Sequence, residues 1–156
     1  MKIALVRLDE RLIHGQVMTA WVSYCGAKEI IVIDDEVYAD EFTREILMLS
    51  VLGGIKIDIL SVEKFKEKFE SSKDDTPVLI LYKTPKYVLN TIKAGIKLDE
   101  LMVGNMGSGK DRERVSNTVY MSPAEKKIFE EISDTGCNVY LRMMPKEPAV
   151  PFKEIQ

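Results

Sequence analysis

His14 is the only histidine among the 156 residues of the chain, and it follows a short polar segment that begins at Asp9. Neutral imidazole is a good nucleophile at physiological pH, and it can accept a phosphoryl group and pass it on. Arg11, three residues before His14, carries a fork of donors that suits two phosphoryl oxygens. Asp9 or Asp34 could hydrogen-bond the imidazole ring and fix its tautomer. A lone histidine beside an arginine is also typical of a structural turn, so spacing alone leaves both interpretations open.

Two further segments carry residue types that could bind a metal ion or a nucleotide. Asp34, Asp35 and Glu36 suit a divalent-cation site or an acid/base pair, and equally a loop whose acids favour the next helix start. The segment 104–110 (GNMGSGK) matches the GxxxxGK pattern of a phosphate-binding loop. Asp111 then stands where Ser or Thr would ligate magnesium, and the polar residues that follow lack the apolar stripe of a buried helix. We therefore expect a glycine-rich loop there, with nucleotide binding as the alternative function.

The composition narrows the class of protein. Apolar residues make up 46% of the chain, charged residues 30%, and the net charge is −3, so bulk charge does not favour nucleic-acid binding. Cys25 and Cys137 form no CxxC pair, and we expect two small buried residues rather than a zinc site or a disulfide. No stretch approaches the roughly 20 apolar residues of a membrane span, and the N-terminal apolar run is too short for a signal peptide. The prediction is a cytoplasmic protein whose membrane contacts come through a partner.

Apolar runs alternate with helix-type segments, which predicts an α/β fold: an open, mainly parallel seven-stranded sheet with helices on both faces, in one domain over 1–156. Thr84 before Pro85 marks one helix start, and Ser122 with Glu125 forms a predicted capping box at another. No helix pattern separates the fifth and sixth strands, so part of the sheet is expected to be antiparallel. Strands are predicted over 2–8, 29–34, 55–60, 77–82, 100–103, 118–121 and 138–143, and helices over 16–24, about 39–52, 62–70, 85–95 and 123–136.

Polar residues follow four of the predicted strands at their carboxyl ends, in the segments 9–16, 34–36, 83–84 and 105–110. In open α/β sheets ligands bind beyond the carboxyl ends of the strands, so these loops are expected to share one rim. His14 lies in the first of them. The fold prediction therefore places the candidate nucleophile where such a sheet binds ligands.

The segment Val6–Val17 (VRLDERLIHGQV), with Trp21 four residues further on, closely resembles the opening of one family of bacterial proteins. These are the IIB components of the mannose/fructose/sorbose family of the phosphoenolpyruvate-dependent sugar phosphotransferase system. The resemblance ends near Pro145 and covers essentially the whole chain. It continues through the segments 31–35 (IVIDD), 81–85 (LYKTP) and 103–107 (VGNMG).

The resemblance implies a seven-stranded, mainly parallel sheet and a phosphotransferase that carries phosphate on a histidine. In the family, the motif histidine accepts a phosphoryl group from the phosphohistidine of the IIA component. It then gives the group to a sugar of the mannose/fructose/sorbose class held by the membrane components IIC and IID. His14 is thereby implied as the phosphoryl carrier, Arg11 as the phosphate-stabilising residue and Asp9 as a site residue of the first loop. Further positions implied on the same rim are Gly15, Asp34, Lys83, Asn105 and Gly107.

The resemblance also implies that no metal ion, nucleotide or other cofactor is needed, and that the chain meets the inner face of the membrane through IIC and IID. The sequence does not identify the sugar, and it leaves open whether the chain forms a homo-oligomer. Two positions depart from the family pattern. Glu10 stands where Asp is common, which keeps the charge, and Ser108 stands where a second glycine is common.

Overall fold

Nine strands occur in residues 1–50 and 53–155, which are the residues that the computed structural model describes. In chain order they are β1 (Lys2–Asp9), β2 (Glu29–Ile33), β3 (Lys56–Leu60), β4 (Pro77–Tyr82), β5 (Glu100–Asn105), β6 (Glu113–Arg114), β7 (Tyr120–Met121), β8 (Asn138–Leu141) and β9 (Val150–Pro151). Seven of them form one sheet in the order β3-β2-β4-β1-β5-β8-β9. Its neighbouring strands run parallel except β9, which pairs antiparallel with β8. The predicted mainly parallel seven-stranded sheet is confirmed.

Helices cover both faces of this sheet, as predicted. They are α1 (Gly15–Cys25), α2 (Asp35–Ala39), α3 (Glu41–Leu49), α4 (Val62–Ser71), α5 (Pro85–Lys93) and α6 (Pro123–Asp134), and a 3₁₀ turn follows at Phe152–Glu154. The buried residues of α1, α2 and α3 share one core with Leu5 of β1, whereas those of α4, α5 and α6 share the other core with Leu8. Successive strand residues point to opposite faces, so β1 contributes side chains to both cores. It lies between β4 and β5 and is therefore a central strand of the sheet.

Two predicted helix starts have the expected chemistry. The Thr84 hydroxyl accepts a hydrogen bond from the Lys86 N–H, and Pro85 opens α5. Ser122 and Glu125 form the capping box of α6: the Ser122 hydroxyl accepts from the Glu125 N–H, and the Glu125 carboxylate accepts from the Ser122 N–H. Both helices therefore begin where their side chains satisfy the first free N–H groups.

The sixth predicted strand is wrong as a member of the main sheet. Of the segment 118–121 only Tyr120–Met121 is a strand, and it pairs antiparallel with β6 in a separate two-stranded ribbon. The seventh place in the main sheet belongs instead to Val150–Pro151, near the end of the described chain. An edge position suits Pro151, because proline has no N–H to donate to a ladder.

The helix predicted over about 39–52 is also corrected. Asp40 separates two helices, because it follows the end of α2 and caps the start of α3. Its carboxylate accepts a 3.2 Å hydrogen bond from the Thr43 N–H. Residues 51 and 52 lie outside the described part of the chain. Cys137 is buried, as predicted, but Cys25 is half-buried. Among the described residues, no helix combines the length and apolarity needed to cross a membrane.

Candidate functional site

The loop between β1 and α1 folds tightly around the carboxylate of Asp9, the last residue of the central strand. Asp9 is fully buried, its carbonyl accepts from the Leu12 N–H, and its carboxylate accepts from the Arg11 N–H at 3.0 Å. Leu12 has a φ of 56° and Gly15 a φ of 37°, so the chain passes twice through the left-handed region within four residues. Such a compact turn brings the next polar side chains back over the carboxyl end of β1.

His14 is held through one ring nitrogen. Its Nε2 lies 2.9 Å from the Asp9 Oδ2, and the side chain is 20% exposed. An ionised carboxylate only accepts hydrogen bonds, so this contact places the ring proton on Nε2 and leaves the lone pair on Nδ1. Within the described residues Nδ1 has no hydrogen-bond partner. Nδ1 is therefore the ring nitrogen whose lone pair is free to act as a nucleophile.

The start of α1 lies beside this imidazole. His14 is the residue before the helix, with extended backbone angles of −148° and 128°, and no side chain among the described residues caps the first turn. Free N–H groups at a helix start, together with the helix dipole, attract anions. A phosphoryl group on Nδ1 would thus lie next to backbone donors that protein acceptors leave unoccupied.

Arg11 already uses its donor fork on Asp9. Its Nε and Nη2 lie 3.2 Å from Oδ1 and 3.2 Å from Oδ2 of Asp9, while 41% of the side chain is exposed. Burial acts to raise the pKa of Asp9, but the hydrogen bonds from Arg11 and then His14 outweigh it, so the pKa lies below its usual value. Asp9 is therefore an anion that organises both Arg11 and His14.

Arg7 is a second arginine on the same carboxylate, and it was not among the predicted site residues. It is fully buried, and its Nη2 lies 3.4 Å from the Asp9 Oδ2. A signal for it existed: a cation stands inside an apolar strand two residues before Asp9, and a strand period of two puts both side chains on one face. Asp9 therefore receives hydrogen bonds from three cationic or potentially cationic side chains.

Glu10 ties the same loop to two distant segments. Its Oε1 accepts from the Gly107 N–H at 2.6 Å, and Arg112 donates to both of its oxygens, at 3.1 and 2.7 Å. Arg112 also donates to the Gly107 carbonyl and to both oxygens of Glu125, the capping residue of α6. Sequence reasoning missed Arg112, because nothing in its neighbourhood pairs it with a glutamate 102 positions away.

The remaining predicted rim residues fall into two groups. Asn105 and Gly107 border the site loop: the Asn105 carbonyl accepts from the Glu10 N–H, and Gly107 binds the Glu10 side chain. Asp34 and Lys83 instead line a neighbouring hollow of about 250 Å³ that also reaches Glu10. They make no hydrogen bond with His14 in the described part of the chain.

Of the two acids considered for orienting the ring, the structure places Asp9 there, whereas Asp34 is a helix cap. The Asp34 carboxylate accepts a 2.9 Å hydrogen bond from the Val37 N–H at the start of α2. Asp35 caps a different helix, accepting from the Val62 N–H at 2.8 Å. Burial raises the pKa of Asp34 above its usual value. No group of three or more His, Cys, Asp or Glu side chains able to hold a metal ion occurs within residues 1–50 and 53–155.

The segment 104–110 lacks the geometry of a nucleotide-binding loop. Its first two residues belong to strand β5, and the next helix to begin is α6, at Pro123. The Gly107 N–H, which a phosphate would need, is donated to Glu10, and Lys110 is exposed. A phosphate-binding loop instead leads directly from a strand into a helix whose N-terminus faces the phosphate.

Comparison with known proteins adds independent information. The family model of the PTS system sorbose subfamily IIB component matches residues 3–155, including the whole β1–α1 loop. The PTS system fructose-specific EIIB component of Bacillus subtilis is 30% identical over 156 residues, covering 99% of this chain and 96% of that protein. The crystal structure of the IIBSor domain of the sorbose permease from Klebsiella pneumoniae matches with a TM-score of 0.90 and 31% identity, over 96% of this chain and 93% of that one. The PTS system mannose-specific EIIAB component of Escherichia coli is 28% identical, over 99% of this chain and 48% of that protein.

Proposed function

We propose that this chain, which belongs to the sorbose-subfamily IIB components of the sugar phosphotransferase system, carries a phosphoryl group on Nδ1 of His14. In this proposal the group comes from the phosphohistidine of a IIA component and goes to a sugar of the mannose/fructose/sorbose class. The observation that carries the proposal is the 2.9 Å contact between His14 Nε2 and Asp9, because it leaves Nδ1 as the nucleophile beside the open start of α1.

The site geometry supports a simple sequence of bonds. The Nδ1 lone pair attacks phosphorus in line with the donor nitrogen, the new N–P bond forms as the donor's N–P bond breaks, and the His14 ring keeps its proton on Nε2. The ring is then cationic, and the buried Asp9 anion stabilises that charge. Arg11 and the first N–H groups of α1 neutralise the phosphoryl oxygens. Attack by a sugar hydroxyl breaks the N–P bond, releases the hydroxyl proton and returns His14 to its neutral form.

The partners and location in the proposal follow from the family. The donor is a IIA component, and support comes from a relative whose name, EIIAB, joins the two components. The sugar is held by the membrane components IIC and IID, which bring a cytoplasmic protein to the inner face of the membrane. The residues 1–156 act as one IIB domain in this proposal, and the transfer uses no cofactor.

Labelling tests the proposal directly. The protein is incubated with labelled phosphoenolpyruvate, the general carrier proteins of the system and a cognate IIA component, and the phosphate is located by peptide mapping. We expect one acid-labile, base-stable label on His14, as for a phosphoramidate, and none in His14→Gln. Label that persists in His14→Gln, or that survives acid, would overturn the proposal.

A further inference from the structure

The Arg7 guanidinium is enclosed by protein next to Asp9. It is fully buried, its Nη1 donates to the Arg142 carbonyl at 3.0 Å, and its Nη2 donates to the Met143 carbonyl at 3.2 Å. Its guanidinium carbon lies 5.3 Å from the centre of the Trp21 ring, and the Trp21 Nε1–H donates to the same Met143 carbonyl. These contacts fix the guanidinium from three sides, whereas Arg11 is held by Asp9 and by a 4.0 Å contact with the Met143 sulfur and is partly exposed.

Gly104 leaves the space that the Arg7 guanidinium occupies. A Cβ added at Gly104 would lie 2.0 Å from Nη2 and 2.2 Å from Cζ of Arg7, far inside van der Waals contact. The glycine φ lies outside the left-handed region, so the close approach of the guanidinium, rather than the backbone conformation, is what requires a residue without Cβ. Two strands, β1 and β5, are therefore matched to hold one buried cation.

The hydrogen bonds of Asp9 indicate what this cation does. The fork of Arg11 lies on both Asp9 oxygens, and the proposed phosphoryl transfer needs the same fork on the phosphoryl oxygens. When Arg11 turns to the phosphoryl group, Asp9 keeps His14 and Arg7 as its charged neighbours. A buried carboxylate left without a cation would be protonated or would move, and either change would release His14 Nε2.

We propose that Arg7 is a positioning residue for the transfer: its fixed guanidinium holds the Asp9 carboxylate on His14 Nε2 while Arg11 leaves Asp9 for the phosphoryl group. This inference rests on the proposed function of His14. Arg7 touches no substrate, because it is fully buried below Asp9. A purely architectural role, in which Arg7 only ties β1 to the segment 142–143, predicts lower thermal stability with unchanged transfer by the folded protein.

The experiment uses Arg7→Met, Arg7→Lys and Gly104→Ala, with Arg44→Met on α3 as the matched arginine control. Transfer from phosphorylated IIA is measured by rapid quench at several donor concentrations. We expect Arg7→Met and Gly104→Ala to lower kcat about 10- to 100-fold, by analogy with residues that orient metal-ligating histidines, with KM for the donor unchanged. Arg7→Lys should recover part of the loss, and Arg44→Met should transfer normally.

A double variant tests whether Gly104→Ala acts through the Arg7 guanidinium. Methionine has no atoms where the Arg7 guanidinium lies, so a Cβ at position 104 meets free space there. Gly104→Ala should therefore cost nothing further on the Arg7→Met background. An equal loss of kcat from Gly104→Ala in both backgrounds would mean that it does not act through Arg7, and would overturn that part of the inference.

The pH profile separates positioning from architecture. The titratable or charged groups that face Asp9 are Arg7 on β1, Arg11 in the loop and His14 at α1, while Tyr140 of β8 faces Arg7. Without Arg7 the buried Asp9 carboxylate loses one cationic neighbour, so its pKa should rise and the loss in kcat should grow as the pH is lowered. The Asp9 titration followed by carboxyl-carbon NMR in the unphosphorylated protein should move to higher pH.

Failures of the two proposals give different results. If wild-type protein takes up no label, the proposed function fails, and the Asp9 titration still decides whether Arg7 controls that carboxylate. If wild type is labelled while Arg7→Met and Gly104→Ala keep wild-type kcat and an unmoved Asp9 titration, the inference about Arg7 is wrong. If Arg7→Met does not fold, Arg7→Lys and Gly104→Ala carry the same comparison.

Discussion

Replacing Asp9 by asparagine removes one charge at the centre of the site and almost no volume. In the wild-type protein the carboxylate accepts from His14 Nε2 at 2.9 Å and from Arg11 at 3.2 Å through each oxygen. An amide has one oxygen and one NH₂ group, and the arginines will hold the oxygen, so the NH₂ faces the imidazole. Nε2 must then accept a hydrogen bond, and the ring proton moves to Nδ1, the nitrogen that should attack phosphorus.

Both the rate of phosphoryl transfer and the free energy of unfolding should fall in Asp9→Asn. In the Ser-His-Asp triad the same exchange lowers kcat about 10⁴-fold by imposing the wrong tautomer. His14 is 20% exposed and can partly reorient through water, so we expect Asp9→Asn to slow transfer about 10²- to 10⁴-fold. Breaking a buried ion pair costs about 3–5 kcal/mol, and since Arg11 is 41% exposed and can reach water, about 3 kcal/mol is expected here.

The stability difference has a defined pH dependence. The pKa of Asp9 is lowered in the folded protein, so the stabilisation from its charge is complete above the unfolded pKa of about 3.9 and is lost as the pH falls through the folded pKa. The gap between wild type and Asp9→Asn should therefore be constant near neutral pH and narrow only below about pH 3.9.

Rapid quench with labelled IIA, urea unfolding and ring-nitrogen NMR measure the three effects. The matched control is Asp40→Asn, which removes the cap charge of α3 outside the site loop and should leave the His14 tautomer unchanged. If Asp9→Asn transfers within a few-fold of wild type, with its ring proton still on Nε2, the role assigned to Asp9 is refuted.

Arg11→Lys keeps the charge but loses the fork, and it should slow transfer about 100- to 1000-fold; near-normal quench rates in both Arg11→Lys and Arg11→Ala would remove Arg11 from the site. Arg112→Met breaks the charged contacts with Glu10 and should lower the free energy of unfolding by about 2 kcal/mol in urea, with exposed Arg114→Met as control; equal values for the two would be contrary evidence. Magnesium nucleotides should not bind the segment 104–110. A micromolar Kd measured by calorimetry and abolished by Lys110→Ala would contradict this prediction.

Most of the fold could be predicted because its central strands β1, β2, β4 and β5 are short apolar runs largely buried on both faces, and several helices carry explicit caps such as Ser122 with Glu125. The main failure concerned pairing. The segment 118–121 reads as a strand, but sequence periodicity does not identify a partner, and its true partner is a two-residue strand in a polar stretch, Glu113–Arg114. Likewise the helix predicted over about 39–52 begins only at Glu41, because the Asp40 carboxylate caps it, and the separate short helix Asp35–Ala39 was not predicted.

The candidate site could likewise be predicted where its contacts are local in sequence, but not where they join distant segments. Asp9, Arg11 and His14 lie within one short loop, so local sequence could bring them together, and their contacts are local in the structure. Arg7 could have been added, because the alternation of strand residues puts it on the same face as Asp9. The contact between Glu10 and Arg112 spans 102 positions and depends on how β5 and the following ribbon return to the loop, which no local pattern encodes.

The most direct test of the account is the identity of the phosphorylated nitrogen. The protein with ¹⁵N-labelled imidazole is phosphorylated through IIA, and phosphorus–nitrogen coupling is measured by NMR. We expect phosphorus bound to Nδ1 of His14, with the proton retained on Nε2 beside Asp9. Phosphorus on Nε2, or on any residue other than His14, would contradict the central role of the Asp9–His14 contact.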